Sequence, residues 1–520
     1  MESVDLNAAA DELAAAPLLN CLLREAADPE GGGVHRLRAT GRLLRVRGGR
    51  RPERPELRTP DGWRPLTHSE LVKLTADELY RYTGVPNDEL PVEIADSRAA
   101  VAALLAARRA AEPPQDAYVR SEQALVMGHP HHPAPKARGG APAARWLAYA
   151  PEAHGRFPLA FLGLREDQAA EEGGAAAADA VDALAGLLDG PRPPAGYRLL
   201  PAHPWQLELV SGSPAVRAAF ADGRLLRLGE SRLPAWPTAS VRTLYVPGGG
   251  GSGGGRGDLF VKFSLDVRIT NDVRRLWRHD LVKLRRTDEA ARAGFEALRR
   301  AGSPAAWLSD RGYRTAAFAF EELAVLVRDG LRQHLVPGAT PVLAAALAEG
   351  YEGSPLAAAA DPEAWWRAYL RHVVPPALEL FARHGVVLEA HAQNTVVAFD
   401  VRGTPVQALF RDAEGVKLPA HGDRAAAWQR LVYCLVVNHL GGVGAALAEA
   451  HPRAAGAVWP AVREEFRRHA AERDLPEAAE LLTAPSLPAK TNLLLRWTRA
   501  DGADARYIPL PNPLLADAEE

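Results

Sequence analysis

The 520-residue sequence predicts an α+β fold in which a β-rich middle lies between two mostly helical segments. Near both ends, apolar residues recur at three- and four-residue intervals, which is the period of an amphipathic helix. Between about residues 119 and 320, short β-type runs alternate with Pro- and Gly-rich turns. We therefore divide the chain into a helical N-terminal unit over 1–120, a β-rich unit over 121–325 and a mostly helical unit over 326–520.

The composition is that of a globular protein without a strong overall field. Lys and Arg number 62 against 64 Asp and Glu, a net charge of −2, and 47% of the residues are hydrophobic. The sequence has no basic run, which disfavours a nucleic-acid partner. No apolar stretch reaches the roughly 18 residues that cross a bilayer. Only Cys21 and Cys434 are present, which excludes a disulfide framework and a four-thiolate metal site. With no basic leader at the N-terminus, these features predict a cytoplasmic protein without a membrane partner.

Helices dominate the predicted first and last units. In the first unit, helical spacing is found at 8–26 and 97–111, and a turn at Pro60–Gly62 predicts a strand pair over 56–67. After residue 325, one β-rich island at 386–411 interrupts the helical patterns. The helices predicted around this island are 341–350, 361–384, 424–440, 455–473 and 476–483.

Four β-type runs predict the strands of the middle unit, at 146–150, 197–202, 241–246 and 259–265. An Ala- and Glu-rich segment at 168–189 predicts a helix weakened by two adjacent glycines, and we assign it to a peripheral insertion. Gly248–Gly257 predicts the flexible tip of a hairpin that joins the last two strands. The alternative, a phosphate-binding glycine loop, lacks the Gly-Lys-Ser/Thr ending of a P-loop.

A basic, histidine-containing loop is predicted at 128–139. Its prolines prevent a helix and restrict the backbone, so His129, His132, Lys136 and Arg138 project from a stiff segment. Such a loop suits a phosphate or a carboxylate. It suits zinc poorly, because the flanking Lys and Arg would repel a cation. A solvated loop without a ligand stays open.

Cations and hydroxyls also lie on the predicted hairpin and the segment after it. Ser240 and Arg242 share one face of an alternating strand, and Lys262 lies on the strand expected to pair with it. Arg274 is predicted at a helix start, with Thr270 near the N-cap. Together these side chains would clamp a polyanion. The alternative is a basic sheet face that points to solvent.

A polar loop that contains His391 and Asn394 is predicted between apolar strands, and a third strand leads into Asp412. In kinases, a catalytic-loop Asn and a later Asp hold Mg²⁺ against the nucleotide phosphates, and this order is analogous. A purely structural polar loop stays open, although burying these groups without a ligand would be costly.

The ordered series of motifs resembles the NRPS-independent siderophore synthetases, the aerobactin-synthetase IucA/IucC family. The matching motifs between about 121 and 497 are GHPHHPAPKARGG, LPAHPWQ, SVRT, VKFSLDVRITNDVRRL, EAHAQNTVV, LFRDAEG and KTNLLLRW. The resemblance implies a cupped hand with a helical thumb, β-rich fingers and a mostly helical palm. It also implies an enzyme that uses Mg·ATP to adenylate citrate or a related carboxylic acid, releases pyrophosphate, and condenses the acyl adenylate with an amine, hydroxylamine or alcohol.

The same resemblance implies roles for individual residues. ATP is implied to contact Ser240, Arg242, Thr243, Lys262, Thr270, Arg274 and Asn394, together with His129, His132, Lys136 and Arg138 of the basic loop. The substrate carboxylate is implied to contact His391, Thr270 and Arg274. The implied magnesium ligands are Glu389, Asn394 and Asp412, and the implied catalytic residues are His391, Arg274 and Lys262. Lys490 and Arg496 match a C-terminal motif to which we assign no role.

Two other classes of function stay open from the residues alone. A small-molecule phosphotransferase could use the same His, Asn and Asp, but it would form ADP instead of AMP and pyrophosphate. A non-catalytic or redox siderophore-binding protein could share the C-terminal region, but an iron–sulfur version would need clustered cysteines, which Cys21 and Cys434 cannot supply. The identity of the acid and of the nucleophile is not readable, and a homodimer stays open.

Overall fold

A computed structural model describes residues 5–248, 257–419, 423–473, 475–500 and 506–515. Within these residues, helices pack against sheets of eight, five and four strands and two further strand pairs. The predicted α+β fold is therefore confirmed. The boundaries at 120 and 325 stay predictions.

The N-terminal unit is less helical than predicted, because a five-stranded antiparallel meander follows its first helix. The predicted turn joins the last two strands of the meander, with Thr59 opposite Gly62. The earlier strands are short and rich in Arg and Glu, so they carry little hydrophobic alternation. The elements are α1 (Leu6–Ala26), β1 (Ala27–Gly31), β2 (Val34–Leu37), β3 (Leu43–Arg47), β4 (Glu53–Thr59), β5 (Gly62–Pro65), α2 (His68–Thr83), α3 (Glu89–Ala110) and α4 (Ala117–Glu122).

The middle of the chain forms the eight-stranded sheet. Its elements are α5 (Ala143–Trp146), β6 (Phe157–Arg165), β7 (Ala169–Glu172), α6 (Gly174–Leu187), β8 (Tyr197–Ala202), α7 (Pro204–Leu209), α8 (Pro214–Ala221), β9 (Leu225–Pro237), β10 (Thr243–Val246), β11 (Leu259–Phe263), β12 (Arg268–Ile269), β13 (Asp272–Val273), α9 (Arg278–Arg300), β14 (Ala306–Leu308), β15 (Asp310–Ala316) and β16 (Val325–Asp329). The strand order is β7-β15-β16-β11-β10-β9-β6-β8. The central strands β10 and β11 are buried along their whole length, so the sheet is the core of this region.

The predicted hairpin of β10 and β11 forms, and its register places Thr243 opposite Lys262. Most of its predicted glycine tip, residues 249–256, lies outside the described residues. The last described pair before the tip is Val246 with Leu259.

Two predictions for the middle unit are wrong. Segment 146–150 is helical rather than extended, because Trp146 is buried and its indole N–H donates to the carbonyl of Ala141 at 3.0 Å. The aromatic residue Trp146 in this segment therefore reflects burial of its indole ring and not a β-strand. Segment 168–189 divides at Gly173, whose φ of 120° separates strand β7 from helix α6. Because the apolar side chains of α6 are buried in the hydrophobic core, the helix is not a peripheral insertion.

The C-terminal region is mostly helical, as predicted. Its elements are β17 (Thr340–Leu343), α10 (Ala344–Glu349), α11 (Pro362–His384), β18 (Thr395–Phe399), β19 (Pro405–Arg411), α12 (Arg424–Val432), α13 (Gly441–Ala450), α14 (Val458–Arg473), α15 (Pro476–Thr483), β20 (Ser486–Lys490), α16 (Leu493–Trp497) and β21 (Tyr507–Pro511). The four-stranded sheet has the order β14-β19-β18-β17. Strand β14 pairs in parallel with β19. Because β14 directly precedes β15 in the chain, this pairing connects the four-stranded sheet to the eight-stranded sheet. The apolar segment before the polar loop forms only one bridge, between Val387 and Lys417, instead of the predicted strand.

A π-helical segment, Tyr433–Leu440, joins α12 to α13. The combined helix over Arg424–Ala450 is long and apolar enough to cross a membrane. However, 67% of its most apolar window is buried inside the protein. Its apolar side chains are thus taken up by the core of the C-terminal region.

Candidate functional site

The structure brings the predicted hairpin cations and the C-terminal acidic segment together. Lys262 on β11 is buried, and its Nζ lies 2.7 Å from Asp412 Oδ1 and 2.6 Å from Glu414 Oε2. Both acids follow strand β19, whose end is directed toward the larger sheet. The sequence analysis named Asp412 but assigned no role to Glu414, although it lies only two residues further along the same motif.

Arginines complete this charge cluster. Arg328 Nη2 lies 2.9 Å from Asp412 Oδ1, and Arg242 Nη2 lies 3.5 Å from Glu414 Oε2. Burial raises the pKa of the Asp412 carboxyl, but Lys262 and Arg328 outweigh burial and hold that pKa well below its usual range. Arg328 was missed in the sequence. The sequence signal that could have identified Arg328 is a charged residue inside an apolar strand, because burying an unpaired guanidinium there would cost free energy.

Each of the two acids keeps one oxygen free. The hydrogen bonds from Lys262 and Arg328 both end on Oδ1 of Asp412, and the contacts of Glu414 end on Oε2. Within the described residues, Asp412 Oδ2 and Glu414 Oε1 have no hydrogen-bond donor, and neither is a buried atom without a partner. These two side chains are each 22% exposed, so the free oxygens can meet a ligand.

Arg274 and Thr270 do not lie at a helix start, and that prediction is wrong. Thr270 lies in the turn of the small β12–β13 hairpin, Arg274 directly follows its second strand, and α9 begins only at Arg278. Arg274 Nη2 donates to Thr270 Oγ1 at 2.6 Å, and no carboxylate of the described chain forms an ion pair with it. Burial, with Arg242 nearby, lowers the pKa of Arg274 to about 10. The guanidinium still carries its positive charge at neutral pH, and no carboxylate of the described residues is paired with it.

The turn before β10 supplies the remaining predicted groups. Thr243 N–H donates to Ser240 Oγ at 3.2 Å, and Arg242 Nη1 donates to the carbonyls of Arg274 and Arg275 at 3.0 and 2.7 Å. Arg242 therefore ties the β12–β13 hairpin to the larger sheet while its second nitrogen faces Glu414.

The backbone around the site is strained. Val241, Thr270 and Asp412 have φ values of 66°, 60° and 85°, in the left-handed region that β-branched residues in particular avoid. Such conformations persist where the surrounding structure holds them, and they cluster at functional sites. The three residues lie on the three segments that meet here.

The polar loop presents free side chains to the same cleft. The His391 carbonyl accepts the N–H of Asn394 at 2.9 Å and the hydroxyl of Thr395 at 3.2 Å, which fixes the loop backbone. In the part of the chain that the structure describes, the side chains of His391, Gln393 and Asn394 form no hydrogen bond to another residue. Burial lowers the pKa of His391 to about 4, so its imidazole is neutral at pH 7.

A buried relay holds this loop from behind. His439, on the π-helical segment, donates from Nδ1 to the carbonyl of Ala390 at 2.8 Å and accepts the hydroxyl of Tyr369 at Nε2 over 2.5 Å. Burial lowers the pKa of His439 to about 4, which agrees with one donor and one acceptor nitrogen. Sequence analysis did not identify this pair, which lies outside the motifs.

Glu389 is not placed as predicted for a magnesium ligand. Its carboxylate forms an ion pair with Arg430 and shares no partner with Asp412. Glu414 does share a partner with Asp412, because Lys262 donates to both carboxylates. Among the described residues, no group of three or more His, Cys, Asp or Glu side chains is arranged to hold a metal by itself.

Lys136 and Arg138 are paired with an acid of the protein, and their predicted contact with ATP stays a prediction. Both are buried, and they lie 2.5 and 3.0 Å from one oxygen of Glu152. Burial raises the pKa of Glu152, but the two cations lower it to about 2. The charges of the two cations are therefore already neutralised. The buried Nδ1 of His132 accepts the N–H of Ala134 at 3.1 Å. Burial lowers the pKa of His132, with His129, Arg496 and Arg274 adding to the effect, and its predicted contact with ATP stays a prediction.

His129 lies near the cleft, beside a second group of cations. Burial lowers its pKa to about 4, and the positive fields of His391, Arg24 and Lys490 add to this effect. Burial also lowers the pKa of Lys490, which has no ion-pair partner among the described residues. We call Arg24 and Lys490 the second cation group, and His129, which is neutral at pH 7, lies beside them.

The C-terminal motif is held against the N-terminal helix. Glu25 accepts the backbone N–H groups of Asn492, Leu493 and Leu494 at 2.9, 3.0 and 2.8 Å, and burial raises its pKa to about 7. Arg496 forms an ion pair with Glu93 of α3 and is structural. Lys490 is therefore the residue of this motif that is left for a ligand.

A cavity of about 410 Å³ lies on the other side of Asp310 from Asp412. Its charged side chains are mostly paired with one another, as in Arg285 with Glu289 at 2.8 Å and Arg311 with Asp329 at 2.6 Å. Because these charges already have partners, we locate the chemistry at the Lys262 cluster instead.

Comparison with known proteins agrees with this architecture. Residues 117–349 match the IucA / IucC family, and residues 363–505 match a family described as ferric iron reductase FhuF-like transporter. The fold is that of ATP-bound aerobactin synthetase IucA from Klebsiella pneumoniae, with a TM-score of 0.79, 23% identity, and coverage of 97% of this chain and 100% of that chain.

Two curated relatives extend over most of the chain. L-2,3-diaminopropanoate--citrate ligase of Staphylococcus aureus is 30% identical over 455 residues, which are 78% of this chain and 76% of the relative. Rhizobactin siderophore biosynthesis protein RhbC of Rhizobium meliloti is 29% identical over 453 residues, 76% and 75% of the two chains. The fold and the cleft thus define a siderophore-synthetase architecture. The chain belongs to the IucA/IucC family.

Proposed function

We propose that the protein is an ATP-dependent siderophore synthetase that joins a carboxylate of citrate, or of a related acid, to an amine, hydroxylamine or alcohol. One observation carries the proposal: the unpaired Arg274 and Asp412 of the Lys262 cluster both lie near enough to His391 to influence its pKa. The Staphylococcus aureus relative is named a citrate ligase, and a matching structure is ATP-bound. The phosphotransferase alternative finds no support among the relatives, several of which are named citrate ligases or synthases.

The first chemical step is adenylation. A carboxylate oxygen of the acid attacks the α-phosphorus of ATP, and the bond to pyrophosphate breaks. The site has to bring two anions together and stabilise charge on phosphorus and on the leaving group. Arg274, Lys262 and Arg242 supply positive charge from three directions, and Ser240 and Thr243 supply hydroxyls at the same turn.

The residues present fit a magnesium ion held together with the ATP phosphates. Mg²⁺ prefers oxygen ligands and is commonly bound by one or two carboxylates plus phosphate oxygens. The free oxygens of Asp412 and Glu414 and the amide of Asn394 fit this description, whereas Glu389 is neutralised by Arg430. When bound, the ion would neutralise charge on the phosphates.

The acid substrate is assigned to the space between His391 and the second cation group. Citrate keeps two carboxylates after one has reacted, and Lys490 and Arg24 lack carboxylate partners of their own among the described residues. His129 and His391 line the same space. A neutral His391 can orient the reacting acid or accept a proton from the incoming amine.

Product analysis tests the proposal. The purified protein is incubated with ATP, Mg²⁺ and citrate or related acids, together with candidate diamines and polyamines. We expect pyrophosphate and AMP in equal amounts and a condensed product detectable by mass spectrometry. Formation of ADP without pyrophosphate would contradict the proposal. The cytoplasmic location and the homodimer stay predictions.

A further inference from the structure

Arg328 lies between two carboxylates that are far apart in the sequence. Its Nε lies 2.6 Å from Asp310 Oδ1, and its Nη2 lies 3.1 Å from Asp310 Oδ2 and 2.9 Å from Asp412 Oδ1. The side chains of Arg328 and Asp310 are only 4% and 0% exposed. Because the guanidinium is held in two-point contact by Asp310, it cannot rotate to follow Asp412.

Asp310 also contacts the Asp412 segment directly. Its Oδ2 accepts the N–H of Ala413 at 2.8 Å, immediately after the strained φ of 85° at Asp412. The backbone N–H of Asp310 in turn donates to the buried Asp288 at 2.9 Å. Asp288 also accepts the indole N–H of Trp307 at 2.7 Å, so the network reaches into the protein core.

We infer that Asp310 and Arg328 are positioning residues for the reaction proposed above, acting through Asp412. Arg328 directs Oδ1 of Asp412 into the protein, which leaves Oδ2 facing the cleft. Asp310 holds the guanidinium and the Ala413 backbone at once, so it sets both the side chain and the main chain of Asp412. The inference rests on the proposed function, because it assigns to Asp412 the task of holding the metal side of Mg·ATP.

The same two strands offer a matched control. Arg311 Nε lies 2.6 Å from Asp329 Oδ1, a second Arg–Asp pair between β15 and β16. Asp329 also contacts His334 Nε2 at 3.0 Å, and neither Arg311 nor Asp329 forms a hydrogen bond or ion pair with Asp412 within the described residues. Removing its charge tests the effect of losing such a pair without touching the cleft.

The test compares Asp310→Asn with Asp329→Asn, each alone and combined with Asp412→Asn. Two quantities are measured: the Mg²⁺ concentration for half-maximal pyrophosphate release, and the affinity for Mn²⁺ with a non-hydrolysable ATP analogue, from calorimetry. Removing such an outer partner typically weakens metal affinity by roughly 10- to 100-fold. We expect at least a tenfold weakening for Asp310→Asn, and no change for Asp329→Asn beyond a lower melting temperature.

The combined variants separate positioning from general stability. If Asp310 acts through Asp412, its substitution adds almost nothing once Asp412 is already Asn. An additive effect, or an unchanged metal affinity in a folded Asp310→Asn protein, would overturn the inference. Arg328→Lys, which keeps the charge but loses the two-point contact, should show the same weakening if Asp310→Asn does not fold. The calorimetric affinity can be measured even if no condensation product is found, so a failure of the proposed function is recognised separately.

Discussion

The charges of the cleft balance before any ligand binds. Three cations contact three carboxylates, so a divalent metal ion alone would add two positive charges to a neutral, half-buried cluster. The proposed Mg·ATP instead brings net negative charge, which the unpaired Arg274 can receive. The six balanced residues are Lys262, Arg242, Arg328, Asp412, Glu414 and Asp310.

Removing the ammonium of Lys262 tests this balance. In Lys262→Met we expect turnover to fall at least tenfold, about 1.4 kcal/mol, because a charge directed at the phosphates is lost. In the absence of nucleotide we expect Mn²⁺ to raise the melting temperature of the variant, since two carboxylates are left without their shared cation, whereas the wild type should not respond.

Lys417→Met is the control for this experiment, because Lys417 is an exposed lysine close in sequence to Glu414. It should behave as the wild type in both measurements. Normal turnover in Lys262→Met, or an equal response of the wild type to Mn²⁺, would contradict the balance described above.

Individual residues show where sequence reasoning reaches the site and where it stops. Lys262, Arg274 and Asp412 could be predicted because each lies in a polar motif beside a strand. Arg328 and Asp310 could not, since the Asp412 segment that both contact lies 84 and 103 residues away from the two in the chain. The pairing of Lys136 was missed for a different reason, because its acid Glu152 lies in a segment without a motif.

At the level of elements, the π-helical segment holds the polar loop of His391 through a single carbonyl. The widened turn carries His439, whose two ring nitrogens connect Ala390 to Tyr369. π-Helical turns inside α-helices are frequent at functional sites. Here the segment gives a rigid rear support to the residue just before His391.

Tyr369→Phe tests this support. The change leaves a buried ring nitrogen without its partner, so we expect the free energy of unfolding to fall by about 1–3 kcal/mol in urea denaturation. The matched control is Tyr351→Phe, since the Tyr351 hydroxyl has no hydrogen bond within the described residues. Equal stabilities of the two variants would show that the Tyr369 bond contributes nothing.

Prediction of elements succeeded where periodicity or turn chemistry was strong. The helix over Pro476–Thr483 has the predicted bounds, and the β10–β11 hairpin has the expected partners. Strand β6 was missed although it pairs on both sides, because a continuous apolar run has no alternation to detect. Helix α9 begins later than predicted, because the hairpin of β12 and β13 precedes it. Each of these strands has only two residues, which leaves almost no periodic pattern in the sequence.

For the whole molecule, buried histidines make stability depend on pH. Burial lowers the pKa of His129, His391 and His439 to about 4 and that of His203 to about 3, from an ordinary value of 6.5. The unfolded chain therefore binds protons between pH 6.5 and 4 that the folded chain does not. Their contribution to stability is present above pH 6.5 and is lost as the pH falls toward 4.

We expect the urea midpoint of the wild type to decrease from pH 7 to pH 5. The buried His203 lies away from the cleft, beside Phe157 and Phe263, and provides a separate probe. In His203→Gln the decrease should be smaller, because one proton-binding site of the unfolded chain is removed. A midpoint that is constant or rises over this range would contradict the linkage.

The contact between Glu25 and the backbone at 492–494 has a consequence for synthesis on the ribosome. At roughly 5–20 residues per second, the three N–H groups emerge tens of seconds after the carboxylate that they satisfy. During this interval the nascent chain has Arg24 of the second cation group but lacks Lys490 opposite it. The cleft is therefore completed only by the last part of translation, and a ribosome stalled before residue 490 would hold a chain that has every phosphate-facing cation and no closed site for the acid.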